Sequence, residues 1–214
     1  MKIGNINLSW LGQSGFLITN GKIIYIDPYN LSRAEPKADI ILVSHSHQDH
    51  CNIADIEKIA RDGTIIVLPA DCQSKITKIE RRIDMQISEP GEEMNLDGVK
   101  IQAVPAYNLD KSYHPKSEGW NGYLLKFDKV IIYHAGDTDL IPEMQKLTGY
   151  GKQGNEFVAL LPVGGKFTMD AREAAKAASI LRPSLAIPMH YGSIVGSEKD
   201  ADLFVSLCDE YGMR

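Results

Sequence analysis

Short apolar runs separated by turn signals follow one another along the chain and predict a structure rich in short strands. Asn20-Gly21 and Asp97-Gly98 each stand between two such runs, a strong signal for a hairpin. The run at residues 40–43 is continuously apolar, which suits a strand buried on both faces. We predict strands at residues 3–10, 16–18, 22–26, 40–43, 65–68, 94–96, 99–104, 122–127, 130–133, 158–161 and 185–188.

Apolar residues at helical spacing predict five helices, at residues 52–61, 71–82, 141–147, 170–181 and 198–211. Asp170 is a candidate N-cap, with Glu173 three residues later in the position of a capping box. Strands in both halves, with helices between them and at the end, predict an α+β protein. We expect an αββα sandwich of two mixed sheets flanked by helices, in a single domain over residues 1–214. The hairpins argue against a doubly wound parallel sheet, because they require antiparallel pairing.

The strand predicted at residues 40–43 leads directly into His45-Ser46-His47-Gln48-Asp49-His50. In extended chain at a strand end, alternate side chains project to the same side, so His45 and His47 lie together. Asp49 and His50 follow on the turn before the next helix. The chain has six histidines and three fall in this stretch, which argues against a chance polar loop. Neutral imidazole and carboxylate together suit zinc, and also manganese or iron.

Two later strand ends offer further ligands of the same kinds. Asp137 follows the apolar run at residues 130–133 across a glycine turn, and His190 directly follows the run at residues 185–188. In each case a ligand stands at the carboxyl end of a buried strand, where a sheet holds side chains rigidly and leaves one side open. The sequence therefore predicts a metal site assembled from separate strand ends.

The order His-x-His-x-Asp-His, then Gly-Asp-Thr, then Met-His-Tyr resembles the metallo-β-lactamase superfamily of metal-dependent hydrolases. The resemblance covers about residues 6–196 and implies the αββα sandwich with a two-metal centre. Within the superfamily the chain is similar to the branch of L-ascorbate-6-phosphate lactonase and related hydrolases. That similarity lies in Trp10-Leu11-Gly12-Gln13-Ser14-Gly15-Phe16, Ile26-Asp27-Pro28, Leu161-Pro162-Val163-Gly164-Gly165 and Pro188-Met189-His190-Tyr191.

By this resemblance the metal ligands can be assigned residue by residue. The first metal takes His45 and His47, the second takes Asp49, His50 and His190, and Asp137 bridges the two. One ligand of the first metal is left open, because many relatives carry a histidine near the position of Ala106. His114, Asn108 or water can fill this place, and His114 is the favoured choice.

Four further residues have two interpretations each. Asp27 either orients a ligand histidine or caps a turn. His134 either supports the site or contacts substrate, or it is a structural histidine. Lys111 and Lys116, on either side of His114, either bind an anionic substrate or face solvent. Gly164-Gly165 either offers backbone N–H groups to a substrate or forms a plain tight turn.

Composition narrows the class of protein. With 43% apolar and 24% charged residues, the 214-residue chain is typical of a folded soluble protein. Its net charge is −5 and it has no basic stripe, so we expect no nucleic-acid partner. It has no apolar run near the roughly 20 residues that span a membrane. Cys51, Cys72 and Cys208 are widely spaced, which predicts free thiols in the cytoplasm. The expected partner is a small-molecule substrate, with a homo-oligomer left open.

The expected activity is metal-dependent hydrolysis. Two divalent ions roughly 3.5–4 Å apart would activate a shared hydroxide for attack on an ester, lactone or phosphodiester, expected to be anionic. Asp49, His50 and Asp137 are the candidate catalytic residues, and Asp139 is expected to tolerate alanine. The alternative is a non-catalytic scaffold or regulator that keeps the metal site for stability.

Overall fold

The computed structural model describes residues 1–32, 34–152 and 154–214. The chain divides into two compact units, Met1–Glu89 and Pro90–Arg214. Each unit contains one mixed sheet with helices. The predicted class of two mixed sheets with flanking helices is therefore confirmed, while the single domain over residues 1–214 stays a prediction.

The sheet of the first unit has seven strands in sequence order. They are β1 Lys2–Ile3, β2 Ile6–Gly12, β3 Gly15–Thr19, β4 Ile23–Ile26, β5 Ile40–Leu42, β6 Ile65–Leu68 and β7 Asp84–Ile87. Strands β1 to β4 form an antiparallel meander, and β4 to β7 pair in parallel. The carboxyl ends of β2, β4, β5 and β6 consequently share one edge of the sheet.

Helix α1 (Ile53–Ile59), a 3-10 turn (Ala70–Cys72) and helix α2 (Gln73–Ile76) belong to this unit. Their buried aliphatic side chains, Ile56 and Ile59 among them, join the sheet residues Ile41 and Ile66 in one hydrophobic cluster. Each fully buried side chain of this kind contributes roughly 1.5–3 kcal/mol to stability. This packing anchors the segment between β5 and α1, which carries the histidine motif.

The sheet of the second unit has six strands in the reverse order, from β13 to β8. They are β8 Glu93–Leu96, β9 Val99–Pro105, β10 Asn121–Lys126, β11 Val130–His134, β12 Glu156–Pro162 and β13 Leu185–Met189. Strands β8 to β11 are antiparallel, and β11 to β13 are parallel. The carboxyl ends of β9, β11 and β13 therefore lie at the same edge.

Two 3-10 helices (Lys116–Glu118 and Pro142–Leu147) and two α-helices, α3 (Ala171–Leu181) and α4 (Glu198–Glu210), complete the second unit. The predicted capping box of α3 is confirmed. Asp170 accepts from the backbone N–H groups of Arg172 and Glu173, and the Glu173 carboxylate accepts from the Asp170 N–H at 3.0 Å. Helix α3 packs on β12 and on α4.

Three local predictions differ from the structure. The strand predicted at residues 3–10 is two strands, because Gly4 adopts a φ of +56° and turns the chain. The helix predicted at residues 71–82 is wrong in length: α2 ends at Ile76, and the chain continues to β7, which pairs with the edge of β6. The segment at residues 141–147 is a 3-10 helix. In the described part of the chain, no helix has the length and apolar character to cross a membrane.

Candidate functional site

In the first unit, the segment between β5 and α1 brings three imidazoles together. The His50 and Cys51 N–H groups donate to the His47 carbonyl at 3.1 and 2.8 Å, which forms the turn expected before α1. The His45 ring centroid lies 4.7 Å from that of His47 and 4.0 Å from that of His50. His45 and His50 are buried, whereas His47 is exposed. The cluster therefore has a solvent-facing side.

A buried carboxylate and a hydroxyl position two of these rings. Asp27, at the end of β4, accepts from the Ser44 N–H at 2.7 Å, the Ser44 hydroxyl at 2.6 Å and His50 Nδ1 at 2.7 Å. Because the Ser44 proton goes to Asp27, Ser44 Oγ accepts from His45 Nδ1, 2.9 Å away. These partners assign the Nδ1–H tautomer to both histidines. Each ring then presents the lone pair of Nε2, the form that binds metal.

Asp49 has a neighbour that the sequence reasoning did not single out. Asp49 Oδ2 lies 3.3 Å from His50 Nε2 and accepts from Gln13 Nε2 at 2.9 Å. Gln13 is buried, with a φ of +49°, and follows β2. Since β2, β4 and β5 end at one sheet edge, the position of Gln13 after a strand was the signal that could have identified it.

In the second unit, a carboxylate and two imidazoles converge. Asp137 Oδ2 lies 3.0 Å from His190 Nε2 and 3.2 Å from His114 Nε2, and all three side chains are buried. Asp137 is reached from β11 through Gly136, whose φ is +65°, and His190 follows β13 with a φ of +59°. The loop after β9 folds back far enough to deliver His114.

The chemistry of this donor set fits a divalent metal ion. His114 Nδ1 faces two acceptors, Asn108 Oδ1 at 3.0 Å and the Phe167 carbonyl at 3.1 Å, so it carries the proton. The lone pair of Nε2 then points to the Asp137 carboxylate, an arrangement that a cation stabilises. Two ligand atoms at ~2.0–2.1 Å from a tetrahedral zinc ion lie ~3.3 Å apart, close to the separations observed here.

Asn108 was the rival of His114 for the open ligand position. Its Oδ1 accepts from the His114 N–H at 3.0 Å, and its Nδ2 donates to Asp139 Oδ1 at 3.1 Å and the Phe167 carbonyl at 2.9 Å. Both ends of the amide are thus engaged within the chain. This arrangement supports His114 as the ligand and Asn108 as the residue that orients its ring.

The contacts of Asp139 argue against the expectation that it tolerates alanine. It is buried, accepts from the Leu109 N–H at 2.8 Å and from Asn108 Nδ2, and pairs with Lys111 Nζ at 2.5 Å. Removing the carboxylate would leave the Leu109 N–H without its acceptor and Lys111 without its ion-pair partner. Asp139 therefore holds the loop that carries His114.

The contacts of His134 and Gly164 favour structural roles. His134 is buried and its Nδ1 accepts from the Gly136 N–H at 3.2 Å, which supports the turn that leads to Asp137. A Cβ on Gly164 would lie 2.5 Å from the His190 carbonyl and 3.2 Å from its Nδ1, so only glycine fits. The Gly165 N–H donates to the Met169 carbonyl at 3.0 Å, as in the plain turn considered above.

The two lysines expected to hold an anion have carboxylate partners. Lys111 pairs with Asp139, and Lys116 Nζ lies 2.9 Å from Glu143 Oε1 and 3.1 Å from the Tyr107 hydroxyl. The hydrogen bonds to Glu143 and Tyr107 raise the pKa of Lys116. These pairs neutralise the positive charge on which the expectation of an anionic substrate depended.

The three cysteines are buried free thiols. The hydrogen bond with Cys51, together with burial, raises the pKa of Cys72, so this thiol stays protonated.

Two sets of histidine and aspartate residues, in the part of the chain described, are able to hold a metal ion. They are His45, His47, Asp49 and His50 in the first unit, and His114, Asp137 and His190 in the second.

Comparisons with known proteins agree with this chemistry. The model of the beta-lactamase superfamily domain matches residues 7–190. A UPF0173 metal-dependent hydrolase of Thermococcus kodakarensis is 37% identical over 215 residues, covering 94% of this chain and 92% of the relative. One of Pyrococcus horikoshii is 35% identical over 211 residues, with the same coverage of 94% and 92%.

Solved structures share the fold. A Parabacteroides distasonis protein superimposes with a TM-score of 0.83 at 30% identity, covering 97% of this chain and 90% of the other. Igni18, a metallo hydrolase from Ignicoccus hospitalis, does so with a TM-score of 0.72 at 27% identity, covering 94% and 91%. The chain therefore belongs to the metallo-β-lactamase superfamily, and the relatives it matches over nearly its whole length are named metal-dependent hydrolases.

Proposed function

We propose that this protein hydrolyses a small ester or lactone with two divalent metal ions, zinc in the first place and manganese or iron as alternatives. The proposed ligands are His45, His47, Asp49, His50, His114, Asp137 and His190, with Asp137 as the bridge. The observation that carries the proposal is the convergence of His114 Nε2 and His190 Nε2 on Asp137 Oδ2. When bound, such ions supply Lewis acidity and an activated water at neutral pH.

The chain's own residues prepare this chemistry by setting tautomers. Asp27, directly and through Ser44, keeps the Nε2 lone pairs of His50 and His45 available. Asn108 does the same for His114. Because these partners are already in place, little reorganisation is needed when metal binds.

Asp49 has a second role in the proposal. Gln13 Nε2 holds one carboxylate oxygen at 2.9 Å and so fixes the orientation of the group. A carboxylate accepts several hydrogen bonds at once. We assign Asp49 the additional task of accepting a hydrogen bond from the attacking water, which orients it towards the carbonyl carbon.

The surroundings of His114 favour a substrate with an apolar body and one negative charge. Leu109 and Tyr113 are exposed, and the Tyr113 ring packs edge-on against Phe167 at 4.7 Å. Lys166 Nζ stands 4.9 Å from the centroid of the Phe167 ring. Unlike Lys111, it has no carboxylate partner in the described part of the chain. Lys166 is therefore the residue that we propose to bind a substrate carboxylate.

Metal content and turnover test the proposal together. The protein is stripped with a chelator, reconstituted with zinc, manganese or iron, and assayed on esters, lactones and phosphodiesters. We expect about two metal ions per chain, because the ligands outnumber the four of a closed mononuclear site. Asp137→Ala should lose both metal and turnover, whereas Asp209→Ala, an exposed position on α4, should keep both.

Two outcomes would contradict the proposal. At most one bound ion under every reconstitution would exclude the two-metal centre. Two ions without turnover on any substrate of the panel would support the non-catalytic scaffold.

The substrate charge is tested with matched neutral and carboxylated esters of the same alcohol. Lys166→Gln should raise KM for the carboxylated ester alone. Lys176→Gln, which removes an exposed lysine on α3, is the control. An unchanged KM for the carboxylated ester in Lys166→Gln would remove the argument for an anionic substrate.

A further inference from the structure

A cavity of about 390 Å³ lies in the second unit, away from the candidate metal ligands. The 3-10 helix Pro142–Leu147 and strands β9 and β11 contribute to its walls. Register pairs Tyr133 with Leu124, and Leu124 with Gln102, so these side chains share one face of the sheet. His134, the next residue, points to the opposite face. The cavity walls include Ala103, Val104, Tyr133, Ile141, Met144 and Leu147.

The hydroxyl of Tyr133 distinguishes this cavity from a void left by imperfect packing. The residue is 1% exposed, its hydroxyl makes no hydrogen bond to any residue that the structure describes, and the hydroxyl oxygen is open to the cavity that Tyr133 lines. Burial alone raises its pKa. Other buried tyrosines in this chain have partners: the Tyr25 hydroxyl donates to the Pro36 carbonyl and that of Tyr107 to Glu143, both at 2.8 Å.

A buried hydroxyl normally has a hydrogen-bond partner, because leaving one unsatisfied is costly. Phenylalanine would fill the same position in β11 without that cost. The Tyr133 hydroxyl is therefore a hydrogen-bonding group available to a molecule in the cavity. A volume near 390 Å³ lies within the roughly 300–1,000 Å³ of small-molecule sites.

The charges at the cavity select the chemistry of the occupant. Glu143 lines the cavity but is already engaged by Lys116 and Tyr107. Lys146 also lines it, is exposed, and has no ion-pair partner among the described residues. Besides the engaged Glu143 and the amide of Gln102, the site thus offers one cation and one hydroxyl beside mostly apolar side chains.

We propose that this cavity binds a small, carbon-rich monocarboxylate. The carboxylate accepts from the Tyr133 hydroxyl and is attracted by Lys146, while the hydrocarbon part packs on Val104, Ile141 and Met144. The site uses none of the candidate metal ligands, so the experiment on this cavity does not depend on the outcome for the proposed hydrolysis.

Octanoate serves as the probe. The full chain is labelled with ¹³C at its methionine methyl groups, and the Met144 signal, assigned with Met144→Leu, is followed by NMR as octanoate is added. We expect a saturable shift of this signal. Tyr133→Phe and Lys146→Gln should each weaken binding by about fivefold or more, and Tyr133→Phe should melt no lower than the unmodified chain.

The controls separate binding in this cavity from nonspecific association of octanoate with the protein. Lys176→Gln, at an exposed position on α3, and Asp137→Ala should bind octanoate as the unmodified chain does. Octanol, which lacks the charge, should bind more weakly. A Met144 shift that does not saturate would overturn the proposal. So would an affinity for octanoate in Tyr133→Phe and Lys146→Gln equal to that of the unmodified chain, because water alone would then meet the hydroxyl. Equal binding of octanol would overturn its carboxylate part.

Discussion

Replacing Asp27 by asparagine isolates the role of one buried carboxylate. The new amide would have nearly the same shape, but its NH₂ group donates where the carboxylate oxygen accepted. If its oxygen keeps the Ser44 N–H, its nitrogen faces His50 Nδ1, now 2.7 Å from Asp27 Oδ2. His50 Nδ1 must then become the acceptor, and the ring proton moves to Nε2. The atom proposed to bind metal is thereby blocked.

The expected loss is substantial for a residue that touches no metal. Losing the partner that orients a ligand histidine typically weakens metal binding about 10–100-fold, equivalent to about 1.4–2.7 kcal/mol. Stability falls as well, because hydrogen bonds to a buried charge contribute roughly 1.5–3 kcal/mol each. A loss of about 2 kcal/mol would lower Tm by about 4–8 °C for a chain of this size. Domains of ordinary stability remain folded after such a loss.

Asp39→Asn is the matched control for this experiment. Asp39 precedes β5 and accepts from the Ile23 N–H at 2.8 Å and from Arg61, and no hydrogen bond joins it to the histidines in the described part of the chain. The variant should lose stability without losing metal affinity. Calorimetric titration with zinc measures the affinity, and thermal melting measures the stability.

NMR of the ring nitrogens measures the tautomer of His50, which would not change if Asp27 only stabilised the fold. The metal-free protein should show His50 protonated at Nδ1, and Asp27→Asn should show it protonated at Nε2. An unchanged tautomer, or zinc affinity within about twofold of the unmodified chain, would refute the role assigned to Asp27.

Two further substitutions test the second unit. Asp139→Ala should destabilise by about 2 kcal/mol, because it removes the acceptor of two hydrogen bonds and of an ion pair whose lysine is partly exposed. Asp209→Ala should stay within about 0.5 kcal/mol in chemical denaturation. Equal stabilities of the two variants would show that Asp139 is dispensable. Gly164→Ala should displace His190 and lower metal content measured by elemental analysis, because the new Cβ would lie 2.5 Å from the His190 carbonyl. Full metal occupancy in this variant would show that the backbone absorbs the change.

Local pattern alone determined much of this protein. Alternating and continuous apolar runs located most strands, and Asp170 with Glu173 located the start of α3, because both signals depend on neighbours within one element. The motif from His45 to His50 also lies in one short segment, so the sequence alone predicts that its three imidazoles lie close together, as they do. For the same reason the ligand types and the family resemblance were readable without a structure.

Tertiary structure decided which distant residues support these ligands. Gln13 reaches Asp49 across 36 positions, and the Phe167 carbonyl reaches His114 across 53, because their strands end at a shared sheet edge. Lys111 meets Asp139 across 28 positions for the same reason, which replaced an expected anion site by an internal ion pair. Strand order sets these contacts, and the energy of strand pairing is spread over many residues. These contacts therefore cannot be predicted from any local sequence pattern.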